Sequence, residues 1–151
     1  MALKPDRIEL LTDISFFMSS TGVRGGVVSV STASTGVGVA MDDANAVVEY
    51  ASNPSGAYPV GVLLNDVVDL DLTRQHINWH KDEVQKGGKV TVLRNGQVTT
   101  SNIDGTPAAG QVAYVHSGGN ISATQETGAV AVGQFLSAKD SDGYAKVSIN
   151  V

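Results

Sequence analysis

The sequence predicts an all-β fold, a small antiparallel barrel or sandwich with an extended N-terminal arm. Three observations carry this. About ten short runs rich in Val, Ile and Thr are separated by Gly, Pro, Asn and Asp at the spacing of barrels and sandwiches. The chain of 151 residues holds 17 Gly with only 5% aromatic and 17% charged residues, a balance that suits strands and tight turns. The opening segment, finally, carries two of the three Phe ahead of a body built from Val, Gly and Thr.

That segment fixes the expected organisation, residues 1–24 as an arm and 25–151 as a β domain. Ile8, Leu10, Ile14, Phe16 and Met18 share one side of an extended chain, with Glu9, Asp13 and Ser15 among those facing away. Leu10, Ile14 and Phe17 also fit one face of a helix, and the segment equally suits an edge strand of the chain's own barrel. An apolar arm outside a compact body is expected to find its burial on a partner.

The body reads as a series of strands. Gly25-Gly26 introduces Val27–Ser31, a turn at Thr32–Gly36 leads into Val37–Met41, and Asp42–Asn45 precedes Ala46–Tyr50. Asn53-Pro54-Ser55-Gly56 is a turn, because Pro presets φ and Gly accepts positive φ. Pro59–Leu64 and Val67–Leu72 are further strands, whereas Thr73–Lys86 lacks alternation and reads as a polar excursion. Asn95-Gly96 is the strongest hairpin signal, between Lys89–Leu93 and Gln97–Thr100. The loop Gly105–Gly110 precedes Gln111–His116, a Gly118–Asn120 turn precedes Ile121–Thr124, and Ala129–Leu136 joins Tyr144–Val151 through the turn Asp140–Gly143.

The two halves echo each other. Gly25-Gly26-Val27-Val28-Ser29-Val30 resembles Gly87-Gly88-Lys89-Val90-Thr91-Val92, and Pro59–Asn65 resembles Ala131–Ser137. The pattern fits a duplicated β unit, or the chance recurrence of Gly-then-strand in a Gly-rich chain.

The chemistry-bearing groups are sparse. Without Cys there is no disulfide, thiolate metal site or Cys nucleophile. The first residues lack the apolar run of an export signal, and no stretch reaches the roughly 20 apolar residues of a membrane span, so a soluble product of a cytoplasm is expected. A net charge of -5 with scattered basic residues argues against nucleic acid. His76 and His80 stand at helical spacing, but Ile77 replaces the Glu that a zinc-protease motif needs, so exposed polar histidines are expected. Trp79 is expected to anchor a subunit contact. Gly36-Val-Gly38 lacks a surrounding βαβ pattern, and Asp140–Gly143 lacks the rest of a calcium loop. Asp66, Asp69 and Asp71 alternate along one strand, as a solvated face does. With no nucleophile motif, no enzyme, cofactor or metal is expected.

Met1-Ala-Leu-Lys-Pro-Asp-Arg7, Thr12–Met18, Gly61–Val68, Asp71–Asn78, Lys81–Gln85 and Gly87–Val90 together resemble capsid decoration (cement) proteins of tailed bacteriophages. The loop Gly105-Thr-Pro-Ala-Ala-Gly110 before a Val-Ala-Tyr strand is similar to small phage β proteins more broadly. The resemblance covers most of the chain and brings no catalytic residues. It implies a virion protein, made in the host bacterial cytoplasm and bound to the outer surface of an icosahedral head, where it stabilises contacts between subunits of the major capsid protein. It also implies a homo-oligomer, with a trimer favoured and a dimer possible, and neither nucleic acid nor membrane as partner. The expected partner-binding residues are Lys4, Pro5, Arg7, Ile8, Leu10, Ile14, Phe16 and Phe17 of the arm, with Trp79. The alternative is a carbohydrate- or receptor-binding β module of a phage surface or tail, which calls for exposed aromatic platforms.

Overall fold

The computed structural model describes residues 2–31, 46–66, 83–84 and 86–151. The strands in chain order are β1 (Ile8–Met18), β2 (Gly22–Val23), β3 (Val27–Ser31), β4 (Val47–Glu49), β5 (Pro59–Asp66), β6 (Glu83–Val84), β7 (Lys89–Thr100), β8 (Ile103–Asp104), β9 (Val112–Val115), β10 (Ile121–Ser122), β11 (Ala131–Phe135) and β12 (Ala145–Asn150). Among the described residues the sole helical element is a short 3-10 turn, Ser117–Gly119. The all-β class is as the sequence predicts. The expected strands at 37–41 and 67–72 lie outside the described residues.

The sheet runs β1-β4-β3-β5-β7-β12-β11-β9-β10-β8, and β1 pairs with β7 as well. These pairings close a five-stranded ring from β1, β4, β3, β5 and the first half of β7. A second ring runs from the later part of β7 through β12, β11, β9 and β10 to β8, which follows β7 in the chain. Each ring has its antiparallel pairs and one parallel pair, β1 with β4 and β8 with β10. The molecule is thus two barrels fused through one long strand.

The register shows that the barrels are copies. Val27 pairs with Val62 and Val28 with Gly61, then the register skips Val60 and resumes at Ser29 with Pro59. In the second barrel Val112 pairs with Gln134 and Ala113 with Gly133, the register skips Val132, and Tyr114 pairs with Ala131. Leu63 exchanges hydrogen bonds with the Gly25 amide and the Gly26 carbonyl at 2.9 Å each, as Phe135 does with Gly110 and Gln111 at 2.8 Å each. Met18 lies opposite Val48 as Ile103 lies opposite Ile121.

Of the two echoes in the sequence, Pro59–Asn65 with Ala131–Ser137 is therefore a true equivalence. The other is corrected: β3 corresponds to β9, whereas Lys89–Val92 belongs to β7 and corresponds to β12. Gly-Gly before a strand reports only a turn.

Asn95-Gly96 is likewise corrected. It lies inside β7, with Asn95 opposite Asn150 and Gly96 opposite Ile149. Gly96 also pairs with Glu9 of β1, and a Cβ there would collide with the Ile8 carbonyl oxygen. The glycine permits a close strand crossing at the seam between barrels rather than a turn.

Alternation then fills two cores. Met18, Val28, Val48, Val60, Leu63, Val84, Val90 and Val92 occupy the first barrel. The second cluster contains the interior of the second barrel, including Ile121, Val132, Phe135 and Val147, and extends to Val27, Val62, Leu64 and Leu93 of the first. Strands β3 and β5 are therefore buried on both faces, and each such side chain contributes about 1.5–3 kcal/mol. The boundary expected after residue 24 falls in a turn within the first barrel, since β1 supplies one of its five strands.

Candidate partner-binding site

Strand β1 lies antiparallel along β7, but its register breaks between Glu9 and Leu11, between Leu11 and Thr12, and between Asp13 and Phe16. Such bulges add residues without partners and turn side chains off the regular alternation. Leu10, Ile14 and Ser15 have no opposite residue on β7. The five apolar residues expected on one side divide accordingly. Ile8, Leu10, Leu11 and Ile14 are exposed at 48, 72, 54 and 53%, Phe16 is half-buried against the first-barrel core that holds Met18, and Phe17 is buried outside that core.

Only Phe17 and Met18 pair with β4 on the far edge of β1. From Ile8 to Phe16 no strand among the described residues occupies that edge. An apolar strip along an edge left unpaired by the described strands is the feature that soluble β proteins ordinarily suppress, because it invites another strand.

A charged border surrounds the strip. Arg7 Nε pairs with the Glu9 carboxylate, and Arg94 Nη1 lies 3.9 Å from Asp13. Asp13 Oδ1 also accepts from the Ser15 amide at 2.8 Å, which holds the bulge. Upstream, the Lys4 amide donates to the Thr99 carbonyl at 2.9 Å, and Leu3 bridges Thr100, so the chain start is strapped to β7. Lys4 Nζ sits 3.5 Å from Asp140 Oδ2 and 4.3 Å above the Tyr144 ring. The Tyr144 amide above all holds the Asp140 carboxyl below its usual range; desolvation opposes it, and the Asp142 amide and the charge and hydrogen bond of Lys4 add to the lowering.

The predicted residues therefore separate. Ile8, Leu10 and Ile14 come together on one exposed strand, with Pro5 and Arg7 exposed beside them. Lys4 is engaged with Asp140 and Tyr144, and Phe17 is only 6% exposed, with Lys89 Nζ 5.6 Å from its ring centroid. Trp79, His76 and His80 lie outside the described residues. Leu11 escaped the sequence reading because strict alternation assigns it to the polar side; a bulge leaves no mark in residue type.

His116 Nε2 lies 2.8 Å from Glu126 Oε1 and 3.8 Å from Asp104 Oδ2, and Nδ1 lies 3.3 Å from Ser117 Oγ. The contacts tie the 124–128 loop to the ends of β8 and β9. No group of three metal-ligating side chains with the geometry to hold an ion occurs among the described residues. No helix there is long and apolar enough to cross a membrane.

Residues 12–150 match the family described as XM1 gp53 minor capsid protein. No curated protein matches the chain. The match starts within β1 and spans both barrels.

Proposed function

We propose a function from one premise: the chain belongs to the XM1 gp53 minor capsid protein family. It is accordingly a phage structural protein associated with the capsid and found in the virion. Its finer role is that of a non-enzymatic head decoration, or cement, protein on the outer surface of an icosahedral capsid, stabilising contacts between major capsid subunits.

The observation that carries this reading is the exposed strip of β1, on a strand edge that no other strand among the described residues occupies. A coat subunit adding an extended segment there gains main-chain hydrogen bonds from the edge, and Leu10 and Ile14 supply apolar contacts. One such strand is a weak attachment. A homo-oligomer, with a trimer favoured, presents several at once and raises the effective concentration of each after the first has docked.

Deleting the arm would also remove a strand of the first barrel, so the test keeps the chain whole. Leu10→Asp and Ile14→Asp change exposed side chains and are expected to leave the melting temperature nearly unchanged. Added to expanded, undecorated heads, the parent should bind saturably and raise the temperature at which DNA escapes. The double variant should do neither. Equal saturation by a folded double variant overturns the assignment.

A further inference from the structure

We infer that copies of this chain associate head to tail, the outer face of the second barrel of one copy seating on the start of β1 in the next. The duplication supplies the argument. Within one chain, the outer face of the first barrel packs into the cluster of the second through Val27, Val62 and Leu64, which are at most 2% exposed. The register equates these residues with Val112, Gln134 and Leu136 of the second barrel. There Val112 and Leu136 are 43 and 40% exposed, and Gln134 is exposed. One half of the internal contact is thus repeated with nothing against it among the described residues.

The complementary half is repeated as well. Thr12 of β1 stands in the first barrel where Gln97 of β7 stands in the second, because their partners Leu93 and Ser148 are themselves equivalent. Four residues upstream of Gln97, Leu93 lies fully buried at the seam between barrels; four residues upstream of Thr12, Ile8 is 48% exposed. A preceding barrel would cover Ile8 as the first barrel covers Leu93. Among the described residues, the surface equivalent to that covering one is the outer face of the second barrel, which a second copy supplies.

Substitutions at equivalent positions set the strength. Gln134 and Ser148 replace Val62 and Leu93, and Asp13 and Arg94 replace Val98 and Ile149. A contact between copies is therefore more polar than the internal one and reversible. Because its two surfaces differ, it is heterologous and propagates to a closed ring, such as the trimer, or to an open chain. The inference deepens the oligomeric part of the proposed function and rests on it.

The experiment is sedimentation velocity on the full chain without heads, so failure to self-associate is read separately from failure to bind coat. Leu136→Asp removes one surface and Ile8→Asp the other, and both sites are exposed; circular dichroism checks folding, with Val112→Asp as a second variant of the first surface. The parent should sediment as an oligomer, each variant as a monomer, and an equimolar mixture of Leu136→Asp with Ile8→Asp as a dimer, since each brings the surface the other lacks. A parent that stays monomeric at its highest attainable concentration overturns the inference. So does a folded variant that keeps the parent's assembly, or a mixture that never exceeds monomer.

Discussion

Gly61 and Gly133 occupy the same place in the two barrels, each just after the residue its partner strand skips. A Cβ on Gly61 would strike the Leu93 carbonyl, and one on Gly133 the Ser148 carbonyl. The obstacle is backbone and cannot rotate away. Gly61→Ala and Gly133→Ala should each lower stability by about 2–3 kcal/mol, the upper range of overpacking. Chemical denaturation measures this, and a loss under about 0.5 kcal/mol at either site would show that the crossing is looser than drawn.

Tyr50 joins the barrels. Its hydroxyl donates to the Val23 carbonyl and accepts from the Gly26 amide at 3.2 Å, and its ring lies against Gly119 of the 3-10 turn. Tyr50→Phe leaves a carbonyl and an amide without that partner and should cost about 1–2 kcal/mol.

Burial raises the Tyr50 hydroxyl well above the ordinary 10.0, with the Gly26 hydrogen bond acting weakly the other way. The folded chain holds this proton more tightly than the unfolded one. The resulting stability is fully present below pH 10.0 and is lost as pH climbs above it. Ultraviolet difference titration of the parent against Tyr50→Phe should show the Tyr50 phenolate forming well above the ordinary 10.0, together with unfolding; a Tyr50 contribution near that ordinary value would contradict this.

At the acid end, Asp140 Oδ1 accepts from the amides of Asp142 at 3.0 Å and Tyr144 at 2.8 Å. Its lowered pKa means that its stabilising effect is present above the ordinary 3.8 and fades as pH falls through the folded value. Amide resonances of residues 142 and 144 should titrate below that ordinary value. Hydrogen exchange at Lys4 should quicken in Asp140→Ala, and an unchanged rate would mean that the strap does not depend on this carboxylate.

Within β1 itself, position decides the outcome of truncation. Phe17→Ala should cost about 3–5 kcal/mol, because the ring is almost wholly buried. Leu10→Ala and Ile14→Ala should stay within about 0.5 kcal/mol, as exposed sites do. Thermal unfolding of the three variants compares them directly, and a large loss at Leu10 would mean that it packs within the monomer.

Much of the architecture was legible in residue order. Strand-forming runs at Val27–Ser31 and Pro59–Leu64 are strands, the run Ala129–Leu136 holds one at Ala131–Phe135, and Asp140–Gly143 is a turn, because period-2 alternation and turn chemistry act over a few residues. Asn95-Gly96 misled for the opposite reason: a local dipeptide cannot report that β1 and β12 hold it from both sides. The site was half legible. Ile8, Leu10 and Ile14 stand out as apolar residues in an unusual segment, while Leu11 joined them through bulges that arise only when β1 lies against β7, and Phe17 left them by burial where β1 meets β4.

The sequence by itself determined the β class, the turns, the absence of thiol chemistry and the concentration of apolar residues in the first twenty positions, since each depends on residue type and near neighbours. Tertiary structure alone decided that β7 serves two barrels, that β1 closes the first of them, and which apolar side chains remain exposed. Those outcomes depend on pairing between strands as distant as Ile8 and Gln97, and the geometry of such pairing is written in backbone contacts rather than in the chemistry of any one residue.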